Sequence, residues 1–326
     1  MKQLAASLPE LAAIQDLAAA ATRWGAVDTL ADVEGFPIHA LRFGTPARDR
    51  PALLVTGGVH GLERIGTHVA IAFLTSLVAR LRWDELLHEA LGRARIIVVP
   101  LVNPVGMALG RRANGWGIDL MRNAPQAADI GTPLIGGHRI SRHLPWYMGR
   151  SDAAMEVEAA ALVRLVEAEL FDAPFSIALD LHSGFGLVDR LWYPYARTRE
   201  PPPDFANIEA LSQLLDATLP NHVYKLEQTA RVYTIRGDLW DYLYDRRRAA
   251  SPGLLLPLTL EMGSWTWVRK NPLQGLSTLG RFNPIKPHRH RRTLRRHLPL
   301  LDFLLHAVIS HRAWLPAQPQ SSATGR

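Results

Sequence analysis

The chain has 326 residues, 48% hydrophobic and 21% charged, the balance of a soluble globular protein with apolar material for one large domain or two smaller ones. It contains no cysteine, which excludes disulfides and thiolate metal sites, so any metal must be held by histidine, aspartate or glutamate. The formal net charge of +7 raises nucleic acid or an anionic membrane as a partner, but no stretch reaches the uncharged apolar length that a membrane span needs.

In chain order, the opening segment Met1-Lys2-Gln3-Leu4-Ala5-Ala6-Ser7-Leu8-Pro9-Glu10 lacks the apolar core of a secretory signal, and a cytoplasmic location is the expectation. The first strand-like run, 52–56, ends in Gly57-Gly58-Val59-His60-Gly61-Leu62-Glu63. An imidazole and a carboxylate three residues apart can meet one cation from a single turn, and a catalytic zinc site needs three protein ligands with one position open. A helix is predicted over 65–82 and a second strand over 94–102. Arg111, Arg112 and Arg122 follow it; a guanidinium keeps its charge and offers a planar fork of donors suited to a carboxylate or a polarised carbonyl. Arg111 reads better as a surface residue in an ion pair. Residues 125–150 form a long insertion rich in glycine and proline, of a length that is often functional inside a compact domain.

Ser151 and Asp152 are read as the N-cap of a helix over 152–170. The strand-like run 175–181 leads into Asp180-Leu181-His182-Ser183-Gly184, which makes His182 the best candidate for a third ligand. Asp180, two residues earlier, points to the same face of a strand; it either supports the ligand or pairs with an arginine. The short stretch 200–204 is a loop, a helix is predicted over 205–218, and a last strand over 254–261 carries Glu261 at its end. A lone carboxylate after Leu258-Thr259-Leu260 is costly to bury without a purpose. The basic run 287–297 has no interleaved aromatic residue on which bases could stack and leads into an apolar helical pattern over 294–312. It is read as a solvated face, and nucleic acid is not expected as a partner.

Strands alternating with helices predict an α/β fold: a single domain over 1–315 with a mixed, mostly parallel twisted sheet flanked by helices, and a disordered tail over 316–326. Both histidine loops leave strand ends, where open α/β sheets place their ligands.

Together these residues resemble the M14-type zinc metallocarboxypeptidases and their relatives, the aspartoacylases and succinylglutamate desuccinylases. The resemblance runs in order from about 50 to 265. It comprises His60-x-x-Glu63; Asn103-Pro104-x-Gly106; Ile118-Asp119-Leu120-Met121-Arg122-Asn123; His182 at a similar spacing; Tyr233-Thr234-Ile235-Arg236-Gly237-Asp238-Leu239-Trp240-Asp241-Tyr242-Leu243-Tyr244; and Leu258-Thr259-Leu260-Glu261.

The resemblance implies one Zn²⁺ held by His60, Glu63 and His182, with a bound water in the open position and Glu261 as general base. It implies that Arg112 stabilises the oxyanion, that Arg122 clamps the substrate carboxylate and that Tyr233 closes over it. Asp119 orients the first ligand histidine, and Trp240 faces the substrate's terminal side chain. Where the family usually has asparagine beside the clamping arginine, this chain has Met121, which cannot donate a hydrogen bond to a carboxylate. No acid stands at Trp240, so the pocket is expected to be apolar or aromatic, although Asp238 and Asp241 flank it. The implied activity is hydrolysis of an amide bond next to a free carboxylate, most simply by a metallocarboxypeptidase acting on small peptides. The alternatives are an N-acyl-amino-acid deacylase and a zinc-free binding protein whose catalysis has eroded.

Overall fold

Strands that are apolar on both faces need cover on both faces, and the chain supplies it. The computed structural model describes residues 8–127, 133–184, 186–250 and 253–316. In order, these form α1 (Pro9–Ala21), β1 (Gly25–Val33), β2 (Phe36–Gly44), β3 (Ala52–Gly57), α2 (Arg64–Arg80), α3 (Glu85–Leu91), β4 (Arg95–Val99), α4 (Pro104–Ala108), α5 (Val157–Leu170), β5 (Phe175–Gly184) and β6 (Asp189–Tyr193). There follow α6 (Phe205–Thr218), β7 (Tyr224–Gln228), α7 (Thr229–Val232), α8 (Leu239–Ala250), β8 (Leu254–Gly263), α9 (Trp265–Lys270), α10 (Thr278–Phe282), α11 (Pro287–Ile309) and α12 (His311–Trp314).

The eight strands make one mixed sheet in the order β1-β2-β4-β3-β5-β8-β6-β7. Its centre, β4-β3-β5-β8, is parallel, and antiparallel contacts lie toward the edges. Alternate strand residues feed two cores. Leu53, Val55, Leu179, Leu181, Leu256 and Leu258 pack with Val69 and Phe73 of α2 and with Leu300 and Leu304 of α11. Leu54, Val99, Ala178 and Leu255 pack on the other face with Leu162 and Val166 of α5 and Leu243 of α8. Burying each such Leu or Val contributes about 1.5–3 kcal/mol, and a one-residue slip of β5 would put His182 into the core and Leu181 into the cavity. Core packing therefore fixes where the polar residues point.

The chain leaves β3 for β4 on one side and later adds β5 on the other, so the C-terminal ends of β3 and β5 flank a switch point, where such sheets open a crevice. The turn after β3 has little room. Gly58 has φ 65°, a region open to glycine, and a Cβ on Gly61 would lie 2.1 Å from the Gly106 carbonyl carbon. Asn103 ties this turn down, accepting the Gly106 amide (2.8 Å) and donating to the Val59 carbonyl (3.1 Å).

Three expectations change. Helix α5 begins at Val157 with Glu156 before it and no side-chain cap, because Asp152 is taken by Arg150 in an exposed ion pair. The basic run is not a lead-in: it forms the first half of α11, with Pro287 in the first turn, and Arg289 donates to the carbonyls of Trp267 and Lys270. Hairpin β1/β2 and strands β6 and β7 had no counterpart in the predicted elements; β1 is a half-exposed edge strand without clean alternation, although Glu34 (φ 57°) and Gly35 (φ 88°) make the left-handed turn that such hairpins favour. Among the described residues no single helix is long and apolar enough to cross a membrane. The expected tail lies, beyond residue 316, outside the described residues.

Candidate active site

Three strand ends converge on one cavity of about 700 Å³. His60 and Glu63 come from the turn after β3, His182 from the end of β5, and Glu261 from β8, where it sits beside His182 in the parallel ladder. Pro257, Thr259 and Glu261 alternate onto the cavity side, opposite Leu256, Leu258 and Leu260 in the core, as the period of a strand requires.

His60, Glu63 and His182 are all buried, and one ligand atom from each lies within 4.8 Å of the others. Their arrangement tests whether a metal fits. His60 Nε2 meets Asp119 Oδ1 at 3.2 Å, and His182 Nε2 meets Asp180 Oδ2 at 2.7 Å. With each Nε2 committed to a carboxylate, the assigned tautomers leave both Nδ1 lone pairs facing inward, 3.0 Å apart. Glu63 adds Oε1 at 2.9 Å from His60 Nδ1 and Oε2 at 3.0 Å from His182 Nδ1. Two imidazole lone pairs and a carboxylate directed at one point are a donor set for a cation, and His₂Glu is a known catalytic zinc set. The residues fit Zn²⁺.

The supporting groups are equally buried. Asp119 joins His60 to both arginines: its Oδ2 accepts from Arg112 Nε at 2.9 Å and from Arg122 Nη1 at 3.0 Å, while Oδ1 also accepts the Met121 amide. Asp180 resolves its two readings in favour of ligand support, since it also accepts from Thr56 Oγ1 (2.8 Å) and the Trp240 indole (2.9 Å). Trp240 thus lines the cavity and holds Asp180. Such partners fix ligand orientation and raise basicity.

Charge follows from this arrangement. Burial would raise the Glu63 and Asp119 carboxyls, but the two histidines in one case and Arg122 and Arg112 in the other outweigh it, holding both below the usual range. Burial would lower His182, but the charge of Asp180 and its hydrogen bond raise it well above its ordinary value. Glu261 goes the other way: burial, reinforced by the Glu63 charge, pushes it up to about 8.

Arg112 donates Nη1 to Glu63 Oε1 at 3.0 Å. Arg122 lines the cavity but directs Nε and Nη2 at the Ile135 carbonyl (3.2 and 3.0 Å), with Nη2 also 3.5 Å from Tyr233 Oη. Met121 is buried at the cavity wall. Arg111 is exposed. The insertion supplies Ile135, Pro145 and Trp146, and β6 supplies Arg190 and Trp192. Sequence reasoning did not find these residues, though Asp189-Arg190-Leu191-Trp192-Tyr193 alternates in burial as a strand should.

Gly184 presses on the proposed base. A Cβ there would lie 2.1 Å from Glu261 Oε1, so Gly184→Ala is expected to push that carboxylate aside and lower kcat on the order of 10–100-fold with zinc content unchanged. Steady-state kinetics with metal analysis checks it; an unaltered kcat would place the working carboxylate elsewhere.

Residues 12–266 match the sequence profile of zinc carboxypeptidases. Carboxypeptidase A1 of Rattus norvegicus is 24% identical over 265 residues, covering 72% of this chain and 60% of the rat protein; carboxypeptidase D of Anas platyrhynchos is 24% identical over 174 residues, covering 53% and 11%. The chain therefore spans about three-fifths or less of these relatives' length. The structure of bovine thrombin-activatable fibrinolysis inhibitor in complex with tick carboxypeptidase inhibitor superposes with a TM-score of 0.66 at 16% identity, covering 91% of this chain and 95% of that one. Carboxypeptidase A from Helicoverpa armigera superposes at 0.57 and 20%, covering 76% and 62%. At such identities the superpositions speak for the fold, and with the profile match across most of its length the chain belongs to the zinc carboxypeptidase family.

Proposed function

We propose that this chain is a metallocarboxypeptidase that removes the last residue from peptides with a free C-terminal carboxylate. The observation that carries the reading is the convergence of His60 Nδ1, His182 Nδ1 and the Glu63 carboxylate in the cavity that also holds Glu261, Arg112 and Arg122. When bound, Zn²⁺ supplies a Lewis acid that polarises the scissile carbonyl and acidifies water. Glu261 takes the proton of the attacking water on its carboxylate and returns it to the leaving amine, a cycle suited to a group poised near neutral pH. Arg112, fixed by Glu63 and Asp119, offers positive charge to the developing oxyanion. Arg122 binds the substrate carboxylate and Tyr233 closes over the pair. With methionine at 121, that carboxylate has one donor fewer, which concentrates its recognition on Arg122.

The test is a substrate panel. Release of the terminal residue from N-blocked peptides, lost when the C-terminus is amidated, is the expected outcome. Hydrolysis of N-acyl amino acids alone would replace this reading with the deacylase, and freshly purified protein without zinc would favour the binding protein.

A further inference from the structure

One carboxylate in the cavity has no part in the proposed chemistry. Asp238 stands at the start of α8, where Oδ1 accepts the amides of Trp240 (3.0 Å) and Asp241 (2.9 Å). Its side chain is 6% exposed and forms part of the cavity wall. Among the described residues, Oδ2 has no hydrogen-bond or ion-pair partner, and it is not sealed from the cavity. The neighbouring acids are committed. Asp180 serves His182, Thr56 and Trp240, and Asp241 accepts the amides of Ala196 and Arg197.

A largely buried carboxylate oxygen without a donor is costly, and such an oxygen at a cavity wall is satisfied by what enters the cavity. The position says which part of a substrate arrives. Residues 237 and 238 lie against Arg122: a Cβ on Gly237 would be 2.3 Å from the Arg122 carbonyl oxygen. A terminal residue whose carboxylate is held by Arg122 thus projects its side chain into the region walled by Asp238, Trp240, Trp192 and Tyr193. Aromatic walls accommodate a long aliphatic stem and attract a cation at its end.

We propose that Asp238 makes this pocket selective for a C-terminal residue with a long cationic side chain, its free oxygen accepting an N–H from the ammonium or guanidinium group. This rests on the carboxypeptidase reading and corrects the expectation of a purely apolar or aromatic pocket. The electrostatics agree. Burial pushes Asp238 up to about 6 despite the Asp241 and Trp240 amides and the charge of Arg122, with Asp180 adding to the rise; Asp241, also raised, is the other acid beside it. An incoming cation relieves this excess of negative charge.

The experiment uses the zinc-loaded full chain and N-blocked dipeptides ending in lysine or in norleucine, which differ by the terminal ammonium. The native protein is expected to favour lysine in kcat/KM by about 10–100-fold, the range of a hydrogen bond to a charged group. Asp238→Asn, which keeps an oxygen to cap α8, is expected to collapse that ratio toward one. No lysine preference in the native protein, or a ratio unmoved in the variant, would overturn the proposal. Calorimetric binding of free L-lysine and L-norleucine separates the two levels. If no peptide is cleaved, the carboxypeptidase reading fails, yet tighter binding of lysine that Asp238→Asn abolishes still upholds the pocket's selectivity, and equal binding overturns it.

Discussion

Glu261→Gln is expected to lower kcat by roughly 10²–10⁴-fold, the range of a lost general base, while zinc remains bound at one ion per chain. Glutamine keeps the shape of the carboxyl but cannot take a proton, and Glu261 is not among the three residues whose donor atoms converge. Retained zinc with lost turnover separates proton transfer from metal binding. The pH dependence gives a second readout. Among protein groups alone, burial and the Glu63 charge push Glu261 up to about 8, and a cation at His60, Glu63 and His182 favours its ionised form and draws it down. The acid limb of the kcat/KM profile should therefore belong to Glu261 and disappear in the variant.

Linkage gives a third readout, in protein stripped with a chelator. A carboxyl whose folded value lies above its unfolded value of 4.5 opposes folding once it must ionise. This cost is absent below 4.5, grows as pH rises and is complete above about 8. The stripped variant should thus gain in melting temperature over stripped native protein across that window and hold a constant lead beyond it. Full activity in the variant would mean that the base is misassigned, and parallel melting temperatures across pH would mean that Glu261 is not the strained carboxyl.

How far the sequence carried this site depended on the local physics of each residue. His182 and Glu261 were legible because each ends an apolar strand whose alternation leaves one side for polar residues, and once Leu181 and Leu260 are in the core their neighbours must face the cavity. Asp180 was half legible: the two-residue period placed it on the right face, but only packing could bring the Trp240 indole from α8 to it. Asp152 misled because a capping residue also has charge, and Arg150 two residues away claimed it. The insertion was opaque for a different reason. Its contribution is a carbonyl, that of Ile135, and carbonyls have no residue identity to read. Asp238 was seen and set aside because its role depends on an oxygen left unpaired, a property of the assembled cavity rather than of any motif.

His182→Ala is expected to abolish stoichiometric zinc binding, with zinc per chain falling below about a tenth after dialysis, because a catalytic site held by three protein ligands then keeps two. The geometry makes this loss specific. His182 Nδ1 lies 3.0 Å from both His60 Nδ1 and Glu63 Oε2, so its removal opens the cluster at its centre. Stability reports the same event. Zinc at about a thousand times its Kd stabilises a protein that binds it only when folded by about 4 kcal/mol; the native chain should show a rise in melting temperature of that origin, and the variant none. The stripped proteins supply the control. His182 is raised well above its ordinary value by Asp180, so its protonated form stabilises the fold below its unfolded value, and that contribution fades as pH climbs through the folded value. Stripped variant and stripped native protein should accordingly differ most at low pH and converge as the native imidazole loses its proton, the neutral form that a metal requires. A variant that keeps one zinc per chain would remove His182 from the ligand set. One that melts far below the stripped native protein even where His182 is neutral would show that the side chain serves the fold, so that its loss of zinc could not be assigned to coordination.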